Sequence, residues 1–197
     1  MTTLTALTAY IRRAYLGLGQ EAINSIEDLT TSGDLAQDFH VESLKRSLAA
    51  YDWDFASTYK ALSLADDADV PVIKWASKYK FPGDPTLVEF RELYAGDTLL
   101  EKNKDFEVAG RFILTNGSTL TMRYTFLETN PNNWPTKFGE LYEAKLMEDL
   151  AFPVTRKLSV KTAAANNFIK VLGEATGYNM ASGGFDKTQF TGILSVL

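Results

Sequence analysis

Cysteine is absent from the 197 residues of this chain, and histidine occurs only once, at position 40. Without cysteine the chain can form neither disulfide bonds nor thiolate metal sites. A metal site usually needs several ligands, and a catalytic histidine needs a nucleophile or a carboxylate partner. His40 has no such set of partners in the sequence, so we interpret it as a surface or capping residue. We predict no catalytic site, no metal site and no cofactor, and we do not expect an enzyme.

Long apolar runs are absent as well, and basic residues are in the minority. No segment approaches the roughly 18 consecutive apolar residues of a transmembrane helix, so we expect no membrane span. Lys and Arg number 20 against 25 Asp and Glu, which gives a net charge of −5. This balance argues against a protein that grips nucleic acid by neutralising phosphates. It is still compatible with a protein that surrounds DNA and lets it slide past.

The sequence that is present predicts a mixed α+β fold. Its hydrophobic share of 45% is normal for a globular domain. Stretches near both ends repeat apolar residues every three or four positions, the pattern of helices with one buried face. We predict helices over residues 3–18, 34–51, 135–152 and 157–175, with Pro153 breaking or kinking the chain between the last two. The predicted buried residues of the third helix are Phe138, Leu141, Tyr142, Leu146 and Leu150.

The middle of the chain, residues 72–128, shows the two-residue alternation of β-strands. In the strand predicted to begin at residue 73, aromatic residues fall on one side and lysines on the other: Trp75, Tyr79 and Phe81 against Lys74, Lys78 and Lys80. Further on, Asn116-Gly117 favours a tight turn, so residues 111–115 and 119–124 are predicted to form a hairpin. We expect the strands to pair into one small antiparallel sheet.

Residues 51–56 lie just before this section and combine aromatic with acidic side chains. Asp52 and Asp54 are spaced so that an acid/base pair is conceivable. The interpretation that we favour is structural: Trp53 and Phe55 anchor the core, and both aspartates face water.

Charge is distributed unevenly between the two helical regions. Residues 153–172 contain basic residues and no acid, whereas residues 20–52 contain seven acids against Lys45 and Arg46. This asymmetry suggests that copies of the chain meet side to side, basic face against acidic face. Ordinary solvated helix faces explain the same pattern, and the sequence leaves both interpretations open. The candidate interface residues are Arg156, Lys157, Lys161, Asp34, Asp38 and Glu42.

The last 21 residues, 177–197, differ in character from the rest. Residues 179–184 have the composition of a flexible linker. The segment that follows is apolar and favours β-structure, so we expect it to fold back on the body or to dock on a partner. Its candidate docking residues are Phe185, Phe190, Ile193, Leu194 and Leu197.

Several short motifs, in this order, resemble the tail tubular protein A family, the head-to-tail adaptors of short-tailed phages. Residues 19–27, GQEAINSIE, follow the first helix and resemble the family's G-E-x-P-V-x-S-L-E, with Gln20 and Ala22 as departures. The resemblance continues through DWDFA at 52–56 and YKFPGD at 79–84, which is similar to Y-x-x-P-x-D. The segment 110–124, the helix start at 135–138 and Leu150-Ala151 also fit. The resemblance covers roughly residues 4 to 175.

The resemblance implies an α-helical bundle of about four helices (residues 1–57 and 129–176) with an inserted small antiparallel β-domain (58–128). A linker and docking tail follow (177–197). It further implies a virion protein, assembled in the host cytoplasm, of which twelve copies form a ring between the portal protein and the tail nozzle protein. The ring would complete the DNA ejection channel without binding a DNA sequence, the tail would dock on the portal, and Lys74, Lys78 and Lys80 would face the nozzle.

Two other functions remain as alternatives. A nucleic-acid-binding module would use the interleaved lysines and aromatic residues of 74–81 as a stacking platform. Strand alternation argues against it, because it separates the lysines from the aromatic rings. A cell-wall-degrading tail hydrolase would use a pair of carboxylates in a cleft. Its candidates are Glu140, Glu143 and Glu148.

Overall fold

The protein has a mixed α+β fold, which confirms that prediction. The computed structural model describes the backbone of residues 2–20, 31–65 and 74–182 and the side chains of residues 6–20, 38–65 and 74–181. The helices within these ranges are α1 (Thr2–Gly17), α2 (Thr31–Ala49), α3 (Thr136–Thr155) and α4 (Leu158–Ser182). The strands are β1 (Ser57–Ala61), β2 (Ser77–Lys80), β3 (Leu87–Ala95), β4 (Thr98–Leu99), β5 (Phe106–Ala109), β6 (Phe112–Thr115) and β7 (Leu120–Phe126).

The chain divides into two units. The helical unit comprises Met1–Ser47 and Pro131–Leu197, and the β unit comprises Leu48–Asn130. None of the helices in the described ranges is both long and apolar enough to cross a membrane.

Helix α3 supplies the core of the helical unit. The five residues predicted to face inward are fully buried, with no exposed surface. Their three- and four-residue spacing places them on one face of the helix, which packs against both α1 and α4. Three residues of α1 and the residue that follows the helix are also buried: Ile11, Ala14, Tyr15 and Leu18.

An aromatic cluster joins α1 to the start of α3. The ring of Trp134 lies 5.7 Å from that of Tyr10, 5.4 Å from that of Phe138 and 5.1 Å from that of Tyr142. The edge-to-face geometry of the last two pairs is a preferred arrangement of aromatic rings. Gly139 allows the Tyr10 ring to approach α3, because a β-carbon at this position would lie 2.6 Å from Cζ of Tyr10.

The hydroxyl of Tyr142 is buried and has no hydrogen-bond partner in the part of the chain that the structure describes. Burial raises the pKa of Tyr142 above its ordinary value of 10.0. Because the pKa of Tyr142 is higher in the folded state than in the unfolded state, the folded state loses stability as the pH rises above 10 and through the folded-state pKa.

We therefore expect the free energy of unfolding of Tyr142→Phe at pH 7 to exceed that of the wild type by about 1 kcal/mol, since the variant lacks an unsatisfied buried hydroxyl. Its advantage should grow between pH 10 and pH 12. Urea unfolding at pH 7, pH 10 and pH 12 measures the difference in stability at each pH. Tyr178→Phe, at an exposed tyrosine, is the control. A Tyr142→Phe variant that loses stability at pH 7 would show that the hydroxyl has a partner.

Pro153 does not break α3, so that of the two predicted outcomes, a break or a kink, the break is wrong. The helix continues through it to Thr155 and ends at Arg156, which has a left-handed conformation with φ 57. Because Pro153 lies in the last turn, it removes only one helical hydrogen bond. The hydroxyl of Thr155 donates to the carbonyl of Ala151 at 2.5 Å, and the N–H of Arg156 donates to the carbonyl of Phe152 at 2.9 Å. These bonds satisfy the end of the helix.

Helix α4 extends to Ser182, so the predicted linker from residue 177 is wrong for residues 177–182. Two glycines, Gly173 and Gly177, each weaken a helix by about 1 kcal/mol relative to alanine. Between them, however, Ala175 and Thr176 are buried, and the Thr176 hydroxyl donates to the carbonyl of Gly173 at 3.1 Å. Packing thus outweighs the helix-breaking tendency of the glycines.

The hairpin predicted around Asn116-Gly117 is also wrong. Strand β6 pairs with β2 and β5, whereas β7 pairs with β1 and β3, so the two segments belong to different sheets. Neither Asn116 nor Gly117 has the positive φ that a type I′ turn requires. Instead, the Asn116 side chain accepts the N–H of Ala76 at 2.8 Å and donates to the carbonyl of Lys74 at 3.3 Å.

The described strands of the β unit form two antiparallel sheets rather than the single sheet expected. Their strand orders are β1-β7-β3-β4 and β2-β6-β5. The tight turns occur at Gly96, between β3 and β4, and at Gly110, between β5 and β6, where φ is 59 and 61. Both sheets contribute to one buried cluster: Tyr79, Leu93, Phe106, Ile113, Leu120, Met122 and Tyr124.

Candidate functional site

The basic residues predicted for a subunit interface lie together where α3 ends and α4 begins. Arg156 follows the last residue of α3, Lys157 precedes α4, and Lys161 lies in the first turn of α4. All three are exposed. Their side chains make no ion pair or hydrogen bond with the residues that the structure describes. Their charges are therefore available to an outside partner.

Two large apolar side chains flank these charges. Leu158 is 68% exposed and Phe152 is 43% exposed. Exposed apolar surface next to unpaired charge is typical of a docking surface. We call the five residues the corner patch: Phe152, Arg156, Lys157, Leu158 and Lys161.

The acidic residues predicted for the opposite interface lie on α2. Asp38 and Glu42 are exposed and one helical turn apart, on the same face. Glu42 pairs with Lys45 at 2.6 Å, and this hydrogen bond lowers the pKa of the Glu42 carboxyl. Asp38 has no ion-pair partner within the described ranges. The side chain of Asp34 lies outside the described residues.

The buried side of α2 is attached to α3 through Asp149. The Asp149 carboxylate accepts hydrogen bonds from the Ser43 hydroxyl at 2.7 Å and from Arg46 at 3.0 Å, and it pairs with Lys145 at 3.2 Å. The side chain of Asp149 is only 9% exposed. These contacts fix the orientation of α2 and leave its acidic face, Asp38 and Glu42, directed outward.

The lysines predicted to face the nozzle surround buried aromatic residues. Trp75 and Tyr79 are each 5% exposed, so the interpretation of these rings as core residues is confirmed. Lys74 pairs with Glu107 at 2.5 Å and lies 4.5 Å from the centroid of the Trp75 ring. Lys78 lies over the ring of Phe112 at 4.1 Å, and Lys80 is exposed. Buried rings of this kind cannot stack on nucleic-acid bases. Strand β2 begins only at Ser77, after a turn over residues 74–76.

The three glutamates considered for hydrolysis are all ion-paired. Glu140 pairs with Lys137 at 2.7 Å, Glu143 with Arg13 at 2.6 Å and Glu148 with Lys145 at 2.8 Å. A glycosidase needs two carboxylates that face the scissile bond in a cleft, whereas each of these three carboxylates faces a cation of its own chain. The geometry gives none of these residues the environment of a general acid.

The candidate docking tail, which includes Phe185, Phe190, Ile193, Leu194 and Leu197, lies outside the described residues.

The β unit contains a charged network that the sequence analysis missed. Asp52, expected to face water, has a side chain only 8% exposed and receives a hydrogen bond from Arg123 at 2.6 Å. Arg123 also lies 3.5 Å from Glu92. Burial alone would lower the pKa of Arg123, but its hydrogen bond to Asp52 and the two nearby carboxylates raise it overall.

Arg91 connects this network to the end of α2. Its guanidinium donates to the carbonyls of Leu48 at 3.3 Å, Ala49 at 3.2 Å and Tyr51 at 2.6 Å. These carbonyls have no helical partner at a helix end, so the arginine caps them. The pairing of β3 with β7 is irregular between Phe90 and Glu92, and such a bulge redirects the side chain of Arg91. Burial lowers the pKa of Arg91. The network thus connects strands β3 and β7 to the segment that follows α2.

Among the described residues, no group of three His, Asp or Glu side chains could hold a metal ion. His40 is half-buried on α2.

No model of a known protein family matches this chain, and no curated protein sequence matches it.

Proposed function

We propose that this protein is a head-to-tail adaptor of a short-tailed phage, of which twelve copies form a ring between the portal protein and the tail nozzle protein. The ring completes the channel through which DNA leaves the capsid. This role requires complementary surfaces and no reactive group. It makes the protein a structural component of the virion.

The order of structure along the chain carries this proposal. Two helices, seven strands and two further helices follow one another in the described residues. The helical unit is drawn from both ends of the chain, and the β unit is drawn from the middle. We propose that the four helices form a bundle into which the β unit is inserted, as the resemblance to the tail tubular protein A family implies.

The corner patch supports the formation of a ring. In a closed ring each copy presents two different surfaces to its neighbours. The unpaired cations at Arg156, Lys157 and Lys161 form one such surface, and the exposed carboxylates at Asp38 and Glu42 provide a complementary one. We propose that the corner patch of one copy binds the acidic face of α2 on the next copy.

The two remaining partners are assigned to other parts of the chain. We propose that the apolar segment 185–197 docks on the portal protein, since so many apolar residues favour burial against a partner. The lysine-bearing side of β2 is proposed to face the nozzle, with Lys78 and Lys80 as the contact residues. Lys74, which pairs with Glu107, is proposed to belong to the same surface.

Charge reversal tests the proposed subunit contact. The variant Lys157→Glu/Lys161→Glu should place like charges at each contact, and we expect the protein concentration needed for ring assembly on the portal to rise at least tenfold. Reversing the acidic face as well, with Asp38→Lys/Glu42→Lys, should restore assembly. Mass photometry of mixtures with portal protein measures the ring population.

The matched control is Lys102→Glu/Lys104→Glu, which makes the same change of charge at exposed positions of the β unit. It should assemble as the wild type does. Equal assembly of all variants would remove the corner patch from the interface. Loss of assembly in the control as well would mean that overall charge, and not this contact, controls the ring.

A further inference from the structure

A cleft of about 420 Å³ opens on the β unit, and its lining contains none of the residues discussed above for the ring. Its volume is within the range of about 300–1,000 Å³ typical of ligand sites. The cleft is formed where strand β1 and the β3–β4 turn border the same face of one sheet. It is lined by Tyr59, Tyr94, Gly96, Asp97 and Thr121.

Strand pairing explains why these residues share a face. On β1 and β7, Tyr59 lies opposite Arg123 and Ala61 lies opposite Thr121. On the other edge of β7, Thr121 lies opposite Tyr94 of β3. Residues two apart on a strand point to the same side of the sheet. The other side contains Met122 and Tyr124 and belongs to the buried cluster. The cleft is therefore on the outer face of this sheet.

Two tyrosine rings form the wall of the cleft. Their centroids are 6.3 Å apart with an angle of 49° between the ring planes. The hydroxyl of Tyr94 donates to Glu92 at 2.7 Å, which fixes that ring, and this bond, together with burial, raises the pKa of Tyr94 to about 12. Tyr59 is 61% exposed, which is unusual for a large aromatic side chain on a sheet. Its ring is available to a ligand.

The unbalanced charge at this cleft is negative. The guanidiniums of Arg91 and Arg123 are matched by the carboxylates of Asp52 and Glu92. The remaining carboxylate, that of Asp97, is exposed and makes no ion pair with the described residues. The Asp97 carboxylate would repel a phosphate or a carboxylate. A cation would form an ion pair with Asp97 and a cation–π interaction with the tyrosine rings.

We propose that this cleft binds the guanidinium group of an arginine side chain presented by a partner polypeptide. The flat guanidinium would stack on the Tyr59 ring and donate two hydrogen bonds to the Asp97 carboxylate. Arginine suits the site better than lysine, because its group is planar, more weakly hydrated and able to bind a carboxylate through two bonds. The ring of Tyr59 already accommodates one guanidinium, since Cζ of Arg123 lies 5.9 Å from its centroid. This inference does not depend on the proposed ring.

Titration of the full chain with the peptide acetyl-Gly-Arg-Gly-amide, followed by amide NMR shifts, tests the proposal. We expect saturable shifts at Gly96, Asp97 and Thr121, with a Kd in the millimolar range. The same peptide with lysine should bind at least threefold more weakly, and the peptide with glutamine should not bind. Asp97→Asn and Tyr59→Leu should each weaken binding at least fivefold.

The matched control is Asp54→Asn, which removes another exposed carboxylate of the β unit and should leave the affinity unchanged. Circular dichroism confirms that each variant is folded. Unaltered binding in Asp97→Asn, equal binding of the lysine peptide, or shifts that do not saturate would each overturn the proposal. So would a thymidine oligonucleotide that saturates the same amide shifts, because it would identify the cleft as a nucleic-acid site.

Discussion

Replacing Asp52 with alanine is expected to lower the free energy of unfolding by about 3–5 kcal/mol. The Asp52 carboxylate receives the hydrogen bond of Arg123 at 2.6 Å, and both side chains are largely buried, with 8% and 14% exposed. Without it, Glu92 at 3.5 Å is the one carboxylate within the described ranges that still pairs with Arg123, and Arg91 loses the Asp52 carboxylate at 4.0 Å. A buried charge that has lost its partner costs far more than a missing surface ion pair.

Urea unfolding followed by far-ultraviolet circular dichroism measures the effect. Asp97→Ala removes an exposed carboxylate from the same unit and should change the stability by less than about 0.5 kcal/mol. Adding Arg123→Met to Asp52→Ala should cost less than the two single changes together, because the residues are coupled. If Asp52→Ala were as stable as Asp97→Ala, Asp52 would face water, as the sequence suggested.

Substituting Gly139 with alanine is expected to destabilise the helical unit by about 1–3 kcal/mol. A β-carbon at this position would overlap the Tyr10 hydroxyl and lie 2.6 Å from Cζ of the ring. The ring cannot move aside freely, since it packs against Trp134 at 5.7 Å and Tyr142 at 6.1 Å. The glycine is therefore required by packing and not by backbone conformation.

The control for this variant is Gly173→Ala in α4, where a β-carbon would meet no atom within 4 Å. Alanine should stabilise that helix by about 0.5–1 kcal/mol. Replacing Tyr10 with leucine should restore part of the stability that Gly139→Ala loses. If Gly139→Ala had a melting temperature as high as that of Gly173→Ala, α1 and α3 would be farther apart than described.

The buried face of α3 could be predicted from the sequence because helical periodicity is a local signal. Phe138, Leu141, Tyr142, Leu146 and Leu150 share a face in any straight helix, whatever packs against it. The same reasoning found most of the α1 core. Two-residue alternation, which is also a local signal, separated the buried rings of Trp75 and Tyr79 from the neighbouring lysines, although the strand begins only at Ser77.

Strand pairing could not be predicted in this way, because it depends on residues distant in the sequence. Asn116-Gly117 has the composition of a tight turn, but the Asn116 side chain bonds to the backbone of residues 74 and 76. The two strands that flank it therefore separate into different sheets. The tight turns are at Gly96 and Gly110, which the sequence analysis did not single out.

The charged network was missed for a related reason. Asp52 precedes Trp53 in an acidic and aromatic stretch, and nothing nearby in the sequence indicates that two arginines approach it. Arg91 and Arg123 reach it only because β3 and β7 are neighbours in one sheet. The corner patch could be predicted in part. Its charges could be read from the sequence, whereas the exposure of Phe152 and Leu158 depends on how α3 meets α4.

The most direct test of the adaptor proposal is cryo-electron microscopy of the purified protein mixed with portal protein. We predict rings of twelve copies stacked coaxially on the portal, with a channel continuous through both. Neighbouring copies should meet through the corner patch and the acidic face of α2. Portal particles that remain bare, with this protein present only as separate single copies, would contradict the proposal.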